Sequence, residues 1–358
     1  MGDLPLVCHP GGLDAAWVTA ALAEVSGGAE VVSVGAEPIG DGKIGSNVRL
    51  TLGWSPAGAG PPSVVAKLPS SDPLSRATGV ALGIYVRETR FYRELAAGVG
   101  ARTPRCHAAL FDEATGDFVL LLEDLAPAVP GDQLAGCSAP EAERALSELA
   151  RLHASHWTGP VPELAPPGLA LRTAEIQPFY CGLLDGFAEK YSQRLAPEVL
   201  DVVRRFGDEM DAWGRASEEG PSVLLHGDFR LDNLMFSADG VAVVDWQMIA
   251  AGPPMSDTSY FLGAGLLPAD RRRHEAELLR RYHARLLEEA PAARRWSFED
   301  CAAAYRLHSL GGLIMAVTAS MMVGAGERSD EMFATMAERH AGHALDCDAF
   351  ALVAAVGH

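Results

Sequence analysis

The chain has 358 residues, 48% of them hydrophobic and 21% charged, with a formal net charge of −18. This is the composition of a globular protein long enough for a large core and two lobes, not of a disordered one. The acidic balance argues against nucleic acid and anionic membrane as partners, since both need a basic face; it is compatible with a cationic substrate or simply with solubility.

Six cysteines (Cys8, Cys106, Cys137, Cys181, Cys301 and Cys347) are scattered without a CxxC pair. A disulfide framework or zinc site is therefore not expected, and a reducing, cytoplasmic location is. The opening MGDLPLVCHPGG lacks the basic-then-apolar order of a secretion signal and the Ser/Thr of a myristoylation site.

Leu13–Val25 carries apolar residues at helical spacing and reads as the first helix. Val31–Val34 reads as a strand. Gly40, Gly42 and Gly45 form a G-x-G-x-x-G pattern, and Val48, Leu50, Leu52 and Trp54 then alternate as a strand does. A dinucleotide-binding fold wants a helix after those glycines, so the loop is a hairpin tip instead. Backbone amides from Gly42 to Ser46 could donate to phosphate oxygens there, although an ordinary hairpin turn has the same composition. Val64–Leu68 is an apolar strand holding one lysine, Lys67, which is costly unless paired or solvated. Val86–Leu95 reads as a helix with Glu88 and Glu94 as available acids. Phe118–Leu122 is a strand that runs through Glu123, Asp124 and Leu125 into a Pro/Gly-rich segment, the make-up of a hinge.

Pro140–Trp157 is an amphipathic helix; His153 and His156 lie on it, without further ligands at metal spacing. After the proline-rich Gly159–Pro167, two helices are expected at Phe179–Leu195 and Glu198–Trp213. Val223–Leu225 and Val241–Val244 are short apolar strands. The loop between them holds His226, Asp228, Arg230, Asp232 and Asn233, and Asp245 closes the second strand. An acid, an amide and a second acid so placed are what a metal-assisted phosphoryl transfer needs. One carboxylate orients and deprotonates a hydroxyl, while an amide oxygen and another carboxylate hold magnesium. Arg230 and Asp232 read as a structural ion pair.

Met255–Leu262 begins a helix that Asp257 suits as an N-terminal cap. Helices follow at Asp270–Glu289, Phe298–Val323 and Glu331–Leu345. Leu307–Val323 is the most apolar late run, but His308, Ser309, Gly311 and Gly312 interrupt it, so it reads as a buried helix and not a membrane span. His340, His343, Asp346 and Cys347 read as a solvated helix end, because nothing fixes four metal ligands in one geometry.

HGDFRLDN followed by VVDWQ resembles the catalytic and metal motifs of the aminoglycoside phosphotransferase and choline kinase superfamily, and HGDFRLDNLMF with DWQ is most similar to its ecdysteroid-kinase-like branch. HGDxxxxN is the small-molecule counterpart of the protein-kinase HRDxxxxN loop, with DWQ in place of DFG. The resemblance implies an α+β, two-lobed protein-kinase-like fold: a sheet-rich nucleotide-binding lobe over residues 1–125 and a mainly helical catalytic and acceptor-binding lobe over 126–358. It implies transfer of the γ-phosphoryl group of ATP, with magnesium, to a hydroxyl of a small molecule such as an antibiotic, amino alcohol, sugar or steroid-like compound. In that scheme Asp228 is the base, Asn233 and Asp245 hold magnesium, and His226 orients the loop. Lys67, held by Glu88 or failing that Glu94, steadies the phosphates beneath the Gly42–Ser46 loop. Backbone groups of Glu123 and Leu125 meet the adenine, and Asp257 braces the catalytic loop. HGD in place of HRD, with no APE motif or activation segment, argues against a protein substrate. The alternative is a nucleotide-binding regulator without turnover, in effect a pseudokinase; the presence of Lys67, Asp228, Asn233 and Asp245 together argues against it. These motifs choose neither the acceptor nor the oligomeric state.

Overall fold

The computed structural model describes residues 4–40, 44–157, 159–161, 173–322 and 326–356. Asp14 caps the first helix, its carboxylate accepting the Trp17 N–H at 2.8 Å. The expected Leu13–Val25 helix is two pieces, α1 (Ala15–Ala21) and α2 (Ala23–Ser26), because the backbone leaves helical geometry at Leu22. Five antiparallel strands follow: β1 (Glu30–Pro38), β2 (Gly45–Ser55), β3 (Ser63–Pro69), then β4 (Cys106–Phe111) and β5 (Phe118–Glu123). Between β3 and β4 run α3 (Pro73–Ala81) and α4 (Ile84–Arg90), the latter ending in a wider turn at Phe91–Leu95. The expected strand at Val31–Val34 is thus nine residues long, and α3 and β4 were not legible as elements.

The sheet order is β1-β2-β3-β5-β4, so β3 is an inner strand with Lys67 opposite Asn47 of β2 and Leu120 of β5. An edge position for Lys67 is excluded. Strand periodicity sends alternate side chains to opposite faces. On β5, Val119 and Leu121 join the core under α1, while Phe118, Leu120 and Leu122 join the core that includes α4. Burying each such side chain contributes about 1.5–3 kcal/mol.

The rest of the chain is mainly helical. After the short β6 (Val129–Pro130) come α5 (Ala139–Ser155), α6 (Thr173–Tyr191) and α7 (Pro197–Ser217). Ser138 and Glu141 cap α5 reciprocally. Then come β7 (Val223–Leu225), β8 (Leu234–Ser237), β9 (Gly240–Val243) and β10 (Ala250–Gly252), pairing as β10-β7 and β6-β8-β9. The chain finishes with α8 (Met255–Gly265), α9 (Pro268–Glu289), α10 (Phe298–His308), α11 (Gly312–Met322), α12 (Glu327–Asp346) and α13 (Ala349–Val356). The protein is therefore α+β, with a sheet-rich N-terminal part and a helical C-terminal part. No helix among the described residues is long and apolar enough to cross a membrane.

Two helical expectations change. Phe298–Val323 is broken between α10 and α11, and at Gly312, the first residue of α11, a side chain would run into the His340 ring of α12. His340 and His343 are not at a solvated end: both are fully buried within α12, and Asp346 pairs with Arg271 and Arg272. No metal-holding group of three or more His, Cys, Asp or Glu occurs among the described residues.

Candidate active site

Lys67 projects from β3 on the face opposite Val64, Ala66 and Leu68, and is 12% exposed. Its Nζ lies 2.8 Å from Glu88 Oε1 on α4 and 2.7 Å from Asp245 Oδ1, across 178 residues of sequence. Burial alone would depress the lysine pKa, but the Asp245 and Glu88 carboxylates outweigh it, so the net shift is upward and the ammonium is held protonated. Glu94 is on the surface, paired with Arg93. Phe91 stacks on Trp246 with ring centroids 3.9 Å apart, which packs the Glu88-bearing segment against the residue after Asp245. Asp245 has φ +68°, a left-handed conformation uncommon for a non-glycine residue, though Asp adopts it more readily than most.

The loop after β7 is held from below. Asp257, the third residue of α8 and not its N-cap, accepts the His226 N–H at 2.7 Å on one oxygen and the Gly227 N–H at 3.0 Å on the other. His226 Nε2 donates to the Val244 carbonyl at 3.0 Å, and its Nδ1 accepts the Asp228 N–H at 3.3 Å, a pattern that requires the Nε2–H tautomer. Gly227 has φ +79°, and a side chain there would strike the Met248 carbonyl. His153, buried on α5, bonds Tyr282 at 2.6 Å and approaches Asp257 at 3.5 Å, so both ring nitrogens face the residue that braces the loop or its neighbour.

Asp228 is buried and receives donors on both oxygens. Tyr260 Oη donates to Oδ1 at 2.9 Å; Asn233 Nδ2 and Arg230 Nε donate to Oδ2 at 3.0 and 3.1 Å. Burial lifts the Tyr260 pKa well above its usual value, keeping the phenol a donor. Arg230 also pairs with Asp232, as expected, but its bond to Asp228 was not foreseen. Neither were Tyr260 nor Gln133, whose Oε1 accepts the Leu231 N–H at 3.0 Å and whose amide donates to the Ala264 carbonyl. Tyr260 stands three residues after Asp257 on α8, one helical turn on, and that spacing was its only sequence signal.

Asn233 Nδ2 donates to both the Asp228 carbonyl and its Oδ2, which leaves Asn233 Oδ1 as an uncommitted acceptor. Asp245 keeps 28% of its side chain exposed. An amide oxygen and a partly open carboxylate are hard ligands of the kind magnesium takes alongside water and phosphate oxygens, so the residues fit that ion. At the hinge, Glu123 N–H donates to the Arg105 carbonyl and the Leu125 carbonyl accepts from Ala128, while Asp124 is fixed by Arg49 and Ser63. Ser46 lies at the start of β2 opposite Leu68. Gly42 lies outside the described residues, as does most of the Gly159–Pro167 loop.

Residues 36–297 match the family model APH, described as the phosphotransferase enzyme family. Among solved structures, choline kinase from Cryptosporidium parvum Iowa II is 10% identical with a TM-score of 0.59, over 90% of this chain and 91% of that one. Plasmodium vivax ethanolamine kinase is 11% identical with a TM-score of 0.55, over 86% and 82%. The ADP-bound aminoglycoside phosphotransferase APH(2'')-Ib is 14% identical with a TM-score of 0.51, over 87% and 95%. At such identities the likeness is one of fold. Acyl-CoA dehydrogenase family member 10 of Mus musculus is 45% identical over 51 residues, and member 11 of Homo sapiens 46% over 41 residues. Those stretches are 13% and 11% of this chain and 5% of each relative.

Proposed function

The chain belongs to the phosphotransferase enzyme family, and on that premise we propose that it moves the γ-phosphoryl group of ATP, with magnesium, to a hydroxyl of a small molecule held beside Asp228. The observation that carries this reading is Lys67 Nζ drawn between Glu88 and Asp245, while the residue before Asp245, Val244, donates its N–H to the carbonyl of Asn233, whose amide holds Asp228. Lys67 is the group for the α- and β-phosphates, and Glu88 aims it. Asn233 and Asp245 hold the metal, which when bound neutralises charge building on the phosphate oxygens. The Gly42–Ser46 loop covers the phosphates. Glu123 and Leu125 offer backbone groups to the adenine where β5 leads out of the sheet.

Asp228 takes the proton of the acceptor hydroxyl as that oxygen bonds to the γ-phosphorus. The bond from the γ-phosphorus to the bridging oxygen breaks, and ADP leaves. Arg230 and Tyr260 hold the carboxylate aimed, so little reorganisation is needed at the moment of reaction. ADP formation by the purified protein, screened over aminoglycosides, choline, sugars and steroids with and without magnesium, tests the reading. Nucleotide binding without turnover on any of them would favour a pseudokinase.

A further inference from the structure

A cavity of about 280 Å³ opens beside the catalytic loop, with Gly227, Asp257 and Tyr260 in its wall. It sits near the lower end of the ~300–1,000 Å³ usual for small-molecule pockets. Its body is apolar: Trp213 of α7, Leu225 of β7, Met248, and Ile314 and Met315 of α11. The polar groups in the wall are already committed to the protein. Both Asp257 oxygens accept backbone N–H groups, and Trp213 Nε1 donates to the Leu307 carbonyl at 2.9 Å. Ser256 Oγ is 3.3 Å from His308 Nδ1, and burial pushes the His308 pKa down to about 4, so that ring is neutral at pH 7. Gly227 of the wall precedes the base in the chain, and Tyr260 of the wall reaches it through its hydroxyl on Asp228 Oδ1.

We infer that this cavity is the acceptor pocket and that it takes the apolar body of an uncharged alcohol, with the hydroxyl turned to Tyr260 and Asp228. The inference rests on the proposed phosphoryl transfer for which end of the ligand reacts, and on the cavity wall for what the rest of it is. A polycation entering here would be stripped of water and meet no carboxylate left free among the described lining residues, a costly exchange. An alkyl or alicyclic body would lose only contact with water.

The test is calorimetric titration of the full chain, in the presence of magnesium and ADP so that nothing reacts, with the neutral primary alcohols from 1-butanol to 1-octanol and with choline and gentamicin. Affinity should tighten about fourfold per added methylene, the equivalent of ~0.8 kcal/mol for each buried CH₂. Choline and gentamicin should bind at least tenfold more weakly than 1-octanol. Met315→Glu should weaken 1-octanol at least tenfold, and Met315→Leu should keep it within about threefold. Circular dichroism and magnesium–ADP affinity check the fold, and Ile314→Ser replaces Met315→Glu if that variant does not fold. A flat affinity along the series, tighter binding of either cation, or 1-octanol binding untouched by the pocket variants would overturn the inference. The readout is binding, so it separates from the chemistry. A protein that shows the gradient but never turns over ATP loses the phosphoryl-transfer reading alone. One that phosphorylates only cations loses this inference alone.

Discussion

The two sides of the cleft are built from opposite materials. On the nucleotide side, ions meet ions: Lys67 between Glu88 and Asp245, with Glu88 1% exposed. On the acceptor side, Trp213 of α7, Leu225 of β7 and Ile314 and Met315 of α11 line an apolar cavity, and the histidines nearby are buried neutral. His308 is pushed down to about 4 and His340, stacked on Tyr260, to about 3 by burial. His343 beside them is shifted the same way. Asp228 stands at the join, held by Asn233 and Arg230 from its own loop and by Tyr260 from α8. Charged neighbours suit the polyanion that the proposed phosphoryl transfer would bring to Lys67. A dry wall suits a partner that brings no charge, and it raises the strength of every polar contact at its edge.

The largest expected effect is at the join. Asp228→Asn keeps shape and hydrogen bonding but removes the base, so turnover should fall by roughly two to four orders of magnitude while magnesium–ATP binding stays within a few-fold. Steady-state kinetics and calorimetry on one preparation check this. If ATP binding collapses with turnover, Asp228 belongs to the nucleotide side and the division drawn above is misplaced.

Asp245→Asn should weaken nucleotide binding by about two orders of magnitude when magnesium is present, with partial recovery at high magnesium, because a hard anionic ligand is lost. ATP titrations with and without the metal read it; equal weakening in both would assign Asp245 to Lys67 alone.

Asp257→Asn leaves a backbone N–H of the catalytic loop poorly matched in a buried place. About 1.5–3 kcal/mol of stability should go, the range for a hydrogen bond to a charged group, seen as a lower urea midpoint. An unchanged midpoint would mean that the loop holds itself.

The smallest effect sharpens the contrast by pH. His308, His340 and His343 have folded pKa values below the unfolded ~6.5. The unfolded chain therefore binds more protons, and stability present above pH 6.5 drains away as pH falls toward 4. Each such histidine contributes up to ~1.4 kcal/mol per pH unit in that window. Lys67 runs the other way: its pKa is raised on folding, so its contribution is complete below about 10.5 and is lost above that. Urea midpoints from pH 4 to 8 for the native chain and His308→Asn measure the acid arm. A slope identical in the two would show that His308 is not one of the groups responsible.

The amino-acid order determined more of the nucleotide side than of the acceptor side. Asp228, Asn233 and Asp245 fall within eighteen residues, and a short loop between two strands can place them by local geometry. Lys67 was legible because a charge amid Val64–Leu68 demands a partner. Strand alternation and helical stripes located most elements, though not the break between α10 and α11, where apolar residues continue across the turn. Helical spacing left both Glu88 and Glu94 available and only the resemblance put Glu88 first, ahead of the Phe91-Tyr92 pair; the structure pairs Lys67 with Glu88 and leaves Glu94 with Arg93. Gln133 and the burial of His340 and His343 belong to tertiary structure alone, and Tyr260 nearly so, its spacing from Asp257 being its one signal in the chain. A residue's partners along the chain are set by covalent spacing, whereas the walls of the acceptor cavity come from helices and strands up to a hundred residues apart, which meet only because their apolar faces have nowhere else to go.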